Sequence, residues 1–276
     1  MSSIGRLATL AILAGTAVPA SAVTLPDFSA ATFIPGTVID NPYLPWIEGA
    51  RSAQVGSAVE DGEAVVERAQ QDVLGKGPKI LGVRTTAVVD RGFEDGVLTE
   101  RTRDYYAQDT DGNVWYMGED SVAYEYDDDG KLIGKSTEGS WRAGRHHAQP
   151  GYAMPAGLEL GFGYYQEFAP KDEALDKART YGLLDALEVG GKTYSKVLQV
   201  LETSGIELDA REFKYYAPGV GLIRAEEDLD PSLANPRITL DRVKVAPVPL
   251  PPALGLLGLG LAMLAGVRGT RRRRQI

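Results

Sequence analysis

The chain of 276 residues contains no cysteine and only two histidines. Without cysteine it can form no disulfide, no thiolate nucleophile and no cysteine-based zinc site. It also lacks the Gly-x-Ser-x-Gly and Ser-x-x-Lys patterns that mark common nucleophilic hydrolases. These absences favour a protein without catalytic activity, whose stability comes from its hydrophobic core.

The N-terminal end has the pattern of an export signal. Arg6 precedes an apolar stretch, and Ala20-Ser21-Ala22 has the small-x-small form that signal peptidase accepts. We therefore expect residues 1–22 to be a signal peptide that is removed by signal peptidase. The protein should then be exported.

The charge of the chain excludes one class of partner. The sequence has 29 Lys and Arg against 38 Asp and Glu, and the two ends hold basic residues but no acids. The body between them therefore carries about −15. Such a surface repels phosphate backbones, so we expect no nucleic-acid partner.

The other end, residues 247–276, combines a proline-rich element, an apolar run and a cluster of arginines. A helix over residues 252–267 would be about 24 Å long, slightly shorter than the hydrocarbon core of a bilayer. By the positive-inside rule, basic residues after this helix would hold its end in the cytoplasm and leave the body outside. The predicted membrane-stop residues are Arg268, Arg271, Arg272, Arg273 and Arg274.

The proline-rich element consists of Val248, Pro249, Leu250, Pro251 and Pro252. Followed by an apolar helix and arginines, it resembles the sorting signals of the PEP-CTERM class, in the variant that reads Val-Pro-Leu-Pro-Ala. Here the final alanine is a proline. The resemblance implies an exosortase that recognises the inner-membrane-anchored protein and transfers its body to the cell surface or extracellular polymer. The alternative is a permanent single-pass anchor.

Residues 42–246 have the pattern of one β-rich extracytoplasmic domain, preceded by an extended lead-in over residues 23–41. Runs of β-branched and aromatic residues alternate with turn signals such as Glu94-Asp95-Gly96, which are typical of hairpins. Among the strands that this pattern predicts are Val97–Gln108, Val114–Glu119 and Ser121–Asp127. The segment Lys171–Leu187 has the pattern of a helix. We predict a mainly β, β-rich α+β fold: an antiparallel curved sheet or half-barrel with about one helix, plus the C-terminal transmembrane helix.

Several segments of the body resemble a group of exported bacterial proteins with the signature YAQDTDGNVWYxGE. The signature corresponds to Tyr106–Glu119, and the likeness continues at Asn41–Pro45 and Lys214–Gly221. It implies a shared fold but no assigned activity. The chain departs from the group at Arg145-His146-His147, where the group more often has an Asp-Gly turn.

One turn carries oxygen ligands of the kind that calcium prefers. These are Asp109, Asp111 and Asn113, with Glu119 six residues after Asn113. Their spacing is not that of an EF-hand loop. The alternative is a plain hairpin turn in which an aspartate caps its own backbone. Calcium at these four residues is the only metal or cofactor that the sequence suggests.

Two further polar motifs are better interpreted as solvated loops. Asp127-Asp128-Asp129-Gly130 has the composition of an ordinary turn between two strands. His146 and His147 are adjacent, so their side chains point in different directions and rarely chelate one metal together.

Three functions remain open. The first is an exported, exosortase-sorted surface or matrix protein without evident catalytic activity, which contacts extracellular polysaccharide or calcium. The second is a carrier that binds a small apolar ligand in a half-barrel. The third is a polysaccharide hydrolase, which would need two carboxylates facing a sugar across about 5 to 10 Å.

The sorting hypothesis predicts where the mature protein ends. We expect mass spectrometry of protein recovered from cells and medium to find a C-terminus near Val248–Pro252, because exosortase removes the helix and the arginines. A chain that keeps Arg271–Arg274 in every fraction would instead identify a permanent anchor.

Overall fold

The computed structural model describes residues 22–60, 63–127 and 129–245. The predicted signal peptide except Ala22, the sorting motif, the apolar run and the arginine cluster lie outside these residues. Within the described part of the chain, no helix has the length and apolar character needed to cross a bilayer.

Sixteen strands account for most of the described residues. In chain order they are β1 (Val23–Thr24), β2 (Arg51–Glu60), β3 (Glu63–Ile80), β4 (Val83–Glu94), β5 (Val97–Gln108), β6 (Val114–Tyr126), β7 (Leu132–Ser136), β8 (Trp141–Arg142), β9 (Gln149–Met154), β10 (Gly163–Tyr165), β11 (Glu167–Phe168), β12 (Asp176–Val189), β13 (Lys192–Ser204), β14 (Arg211–Ala217), β15 (Gly221–Glu227) and β16 (Ile238–Val243).

All sixteen strands belong to one sheet, in the order β1-β10-β12-β13-β14-β15-β16-β2-β3-β4-β5-β6-β9-β11, with β7 and β8 also paired to β6. The pairings are antiparallel except for that of β1 with β10. Most consecutive strands form long hairpins. Strand β2, near the start of the domain, pairs with β16, near its end, in the middle of the sheet.

The sheet is strongly curved. β6 and β13 are separated by seven intervening strands, yet side chains of both line one cavity. Only a sheet that curls around the cavity brings strands so far apart in its order to opposite walls. The predicted curved antiparallel sheet is therefore confirmed, and its concave face encloses the cavity.

The predicted helix at Lys171–Leu187 is wrong. Most of this segment belongs to β12, which pairs with β13 from Asp176 to Val189, with one register shift near Gly182. The leucines and alanines of the segment favour a helix locally, but pairing along a whole strand outweighs that preference. Within the described residues the only helix is a 3₁₀ turn at Phe28–Ala30.

Several predicted strand boundaries are confirmed. β5 has the predicted bounds, and the Asp95-Gly96 turn joins it to β4. Two short strands predicted on either side of Asp120 are in fact one strand, β6. This merger matters because β6 forms one wall of the cavity.

The hydrophobic core has two main parts on opposite faces of the sheet. Leu198 on β13 packs in the larger cluster, together with Trp115 and Tyr164, whereas its neighbour Val197 packs in a second cluster with Phe213. Alternation along a strand places neighbouring residues on opposite faces, so this part of the sheet is covered on both sides.

The lead-in packs on the hydrophobic core. Ile39 is buried in the larger core cluster, and Phe28 and Phe33 pack against Trp115 at ring-centroid distances of 5.2 and 6.3 Å. The backbone N–H of Thr110 donates to the carbonyl of Thr32. The lead-in therefore covers the core beside β6.

A β-bulge in β6 determines which of its side chains reach the cavity. Tyr105 pairs with Gly118, whereas the next residue, Tyr106, pairs with Tyr116, so β6 has one extra residue here. Tyr116 and Glu119 are three positions apart and would point to opposite faces of a regular strand. Because of the bulge, both line the cavity.

Gly118 should be required for this bulge. Its φ is +133°, and a Cβ built there would lie 2.6 Å from the backbone oxygen of Trp141. We expect Gly118→Ala to lower the free energy of unfolding by about 2 kcal/mol or more, as measured by denaturant melts.

Gly157→Ala is the matched control, because no atom lies within 4 Å of its added Cβ. Equal stabilities of the two variants would show that the bulge can form without glycine.

Candidate functional site

The cavity on the concave face has a volume of about 930 Å³. This volume is at the upper end of the range of about 300–1,000 Å³ typical of small-molecule sites. Its walls come from β2–β6 on one side and from β12–β16 on the other. It is open to solvent on one side, and many of the side chains that line it are acidic.

A carboxyl pair and a tyrosine form the centre of one wall. The Tyr116 hydroxyl lies 2.6 Å from Asp104 Oδ1 and 2.5 Å from Glu119 Oε2. A hydroxyl has one proton and can donate to only one of these oxygens. The other short contact therefore needs a proton on a carboxyl group, so Asp104 and Glu119 are not both ionised in this geometry.

The pKa values agree with that conclusion. Burial raises the pKa of Glu119 to about 7, although the hydrogen bond from Tyr116 acts in the opposite direction. Burial, followed by the charge of Glu119, raises the pKa of Asp104 well above its ordinary value. Two nearby carboxyls away from water share a proton because two negative charges there repel strongly.

A third carboxyl, Glu167 on β11, extends this group. It is 8% exposed, and burial raises its pKa well above the ordinary value, with further contributions from the charges of Glu119 and Asp176. We call Asp104, Glu119 and Glu167 the acid cluster. Carboxyls from three strands thus converge on one wall of the cavity.

The opposite wall contains a lysine between two glutamates. Lys214 Nζ lies 2.7 Å from Glu202 Oε2 and 3.0 Å from Glu212 Oε1, and Gln166 also donates to Glu202 at 3.1 Å. Burial raises the pKa of Glu212 to about 7, against the effect of Lys214. Lys214 therefore balances the negative charge of Glu202 and Glu212 on this wall.

A row of polar side chains crosses the sheet between these walls. Ser52 donates to Gln71 at 3.1 Å, and Gln71 donates to Asp90 at 2.8 Å. On the next strands, the hydroxyls of Thr102 and Ser121 are 2.9 Å apart. The floor of the cavity is consequently hydrophilic.

One buried side chain on this floor has no hydrogen-bond partner. Gln54 on β2 lines the cavity and is 1% exposed, yet neither its Nε2 nor its Oε1 has a partner. A buried amide without partners costs free energy of about 1–3 kcal/mol. A water or a polar group of a ligand in the cavity would satisfy this amide.

Aromatic rings form the part of the cavity next to the acid cluster. Tyr106 lies between Trp46 and Tyr116, at ring-centroid distances of 4.0 and 4.7 Å. All three line the cavity. Trp115 and Trp141, by contrast, are buried in the core.

Of the predicted calcium ligands, Asp109, Asp111 and Asn113 lie at the turn between β5 and β6, and Glu119 lies on β6. Asp109 accepts hydrogen bonds from the backbone N–H groups of Asp111 and Asn113, from the Asn113 amide and from Trp115 Nε1. Glu119 belongs to the acid cluster. Among the residues that the structure describes, no three His, Asp or Glu side chains are grouped so as to hold a metal ion. The geometry favours the alternative of a hairpin turn capped by Asp109.

The histidine pair lies in the turn between β8 and β9. His146 and His147 have φ values of +46° and +67°, and His146 Nδ1 lies 2.6 Å from Asp172 Oδ1. His146 is exposed, and neither histidine lines the cavity. In the other predicted turn, Asp127 caps the backbone N–H groups of Asp129 and Lys131.

No protein-family model matches the chain, and no curated protein matches it. Two solved structures show a distant likeness. One, from Bacteroides fragilis, is described as an exported protein with a YmcC-like fold. It is 9% identical to this chain, the match covers 74% of this chain and 99% of that one, and the TM-score is 0.38. The other, described as a lipoprotein of Parabacteroides distasonis, has 9% identity, 74% and 98% coverage and a TM-score of 0.33. Likeness of this degree establishes neither a shared fold nor a shared function.

The cavity residues other than Glu119 were not found from the sequence. Along β5, Glu100, Thr102 and Asp104 alternate with Arg101, Arg103 and Tyr105, so polar residues occur on both faces, as in a strand exposed to solvent. The same pattern arises when one polar face lines a cavity. Periodicity alone therefore contained no signal for the site.

The raised carboxyl pKa values predict a dependence of stability on pH. Glu119 binds its proton more tightly in the folded protein than in the unfolded chain, so stability falls as pH rises from about 4.5 to about 7. We expect the Tm of Glu119→Gln, measured by thermal melts, to fall less over this pH interval than the Tm of the wild type.

Glu138→Gln is the control, because Glu138 is exposed and does not line the cavity. If the Tm of Glu119→Gln fell with rising pH as steeply as that of the wild type, Glu119 would have an ordinary pKa.

Proposed function

We propose that this chain is an exported, exosortase-sorted protein of the cell surface or extracellular matrix, which binds a polar ligand in the concave cavity. The signal-like N-terminus and the motif Val248–Pro252 support the destination. The observation that carries the binding role is the large acid-lined cavity with the unpartnered Gln54 on its floor. Extracellular polysaccharide is the polar ligand that the matrix would supply.

A carrier of an apolar ligand is less well supported. The cavity has the size that this alternative requires, but Asp104, Glu167, Glu202 and Lys214 line it. An acyl chain would remove these groups from water and offer no hydrogen bonds in return, which costs free energy. The charged groups that line the cavity therefore support a polar ligand better than an acyl chain.

Hydrolysis of polysaccharide is the second candidate, because converging buried carboxyls are what it requires. Asp104 and Glu119 both have raised pKa values, as a general acid does. However, both carboxyls contact the single hydroxyl of Tyr116, which occupies the space between them. A sugar held between two carboxyls would have to displace that hydroxyl, so binding is the better-supported role.

Binding to matrix polysaccharide can be measured directly. We expect the purified full chain to cosediment with extracellular polysaccharide from the producing cells. The double variant Asp104→Asn/Glu167→Gln should bind at least tenfold more weakly, because the amides cannot carry negative charge.

Asp185→Asn is the control, since Asp185 is exposed and lies outside the cavity. Equal binding by the double variant would place the binding site elsewhere. Release of new reducing ends from the polymer by the wild type, lost in the double variant, would favour the hydrolase.

A further inference from the structure

The acid cluster lacks a positive charge. Of the ion pairs within the described part of the chain, none includes Asp104, Glu119 or Glu167. Lys214 pairs with Glu202 and Glu212 on the other wall instead. Shared protons keep the cluster from accumulating charge, and a cation from outside would replace those protons.

An independent observation concerns the floor of the cavity. The Gln54 amide has one donor group and one acceptor group, and both lack partners. It has no hydrogen bond to lose by turning toward a ligand. A hydroxyl group suits this amide, because a hydroxyl both donates and accepts.

The remaining polar groups of the floor also suit hydroxyls. Ser52, Thr102 and Ser121 offer side-chain oxygens that donate and accept. Three of the arginines that line the cavity are already engaged: Arg51 and Arg91 pair with Asp72, and Arg242 donates to the carbonyl of Leu222. These three are therefore not available to an anionic ligand.

The aromatic wall suits the same kind of ligand. Trp46, Tyr106 and Tyr116 line the cavity beside the acid cluster. Aromatic rings attract cations and also pack against the apolar faces of sugar rings. Carboxyls next to aromatic rings are a favourable environment for an organic ammonium group.

We propose that the cavity binds an amine that also carries hydroxyl groups, which is the chemistry of an amino sugar. Its ammonium group lies beside Asp104, Glu119 and Glu167. Gln54 lies three strands away from Asp104 in the sheet order, so the hydroxyl that pairs with Gln54 belongs to another sugar of an oligomer. This inference rests on the proposed function and names the chemical class of its ligand. A neutral sugar would leave the acid cluster without a cation, and a simple polyamine would leave Gln54 without a partner.

Isothermal titration calorimetry of the full chain near neutral pH tests this proposal with four probes: glucosamine, its linear β-1,4 tetramer, the fully N-acetylated tetramer and spermidine. The two tetramers share a backbone and differ in the charge of the amine. We expect the glucosamine tetramer to bind at least tenfold more tightly than either the acetylated tetramer or spermidine.

The glucosamine monomer tests whether one ligand reaches both the acid cluster and Gln54. Tighter binding of the tetramer supports an oligomer that contacts both places, whereas equally tight binding of the monomer overturns the contact with Gln54. Equal affinity for the two tetramers overturns the ammonium site but leaves the proposed polysaccharide binding intact, and spermidine as tight as the glucosamine tetramer overturns the hydroxyl contact.

Two variants separate binding from folding. Glu167→Gln should lose at least tenfold in affinity for the glucosamine tetramer and little for the acetylated one. Gln54→Leu should weaken binding of the glucosamine tetramer at least fivefold while its Tm equals or exceeds that of the wild type, since an unpartnered buried amide is replaced by an apolar group. Unchanged tetramer affinity in both variants, with Asp185→Asn as the control, would overturn the proposal.

Discussion

The cavity depends on carboxyl groups that are held together away from water. Asp104 and Glu119 contact the same Tyr116 hydroxyl, and Glu167 adds a third acid without a cation. Such a cluster survives in a folded protein only if some of its members stay protonated. The net charge of the acid cluster therefore depends on pH, and a ligand that binds beside the cluster must be compatible with that charge.

The β-bulge at Gly118 makes this arrangement possible. It places Tyr116 and Glu119 on one face, although they are three residues apart on β6. Curvature of the sheet then brings Glu202 and Lys214 to the opposite wall. The bulge thus determines which side chains of β6 face the cavity, and the curvature of the sheet encloses it.

The sequence predicts the β-rich class well because turn signals such as Asp95-Gly96 fix hairpins locally. It does not predict β12, whose composition favours a helix and whose strand conformation comes from pairing with β13. The site is also hidden from sequence reasoning. A polar residue such as Asp104 looks the same whether its strand faces solvent or a cavity, and curvature depends on contacts between distant strands.

The pairing of β16 with β2 has a consequence for biogenesis. A chain that emerges N-terminus first must leave one edge of β2 open until almost the whole body has appeared. Pairing between segments so distant in sequence is slow, because loop-closure entropy must be overcome first. The sheet is completed only when residues 238–243 arrive, immediately before the proline-rich element. Final assembly of the domain and exposure of its C-terminal tail are therefore nearly simultaneous events.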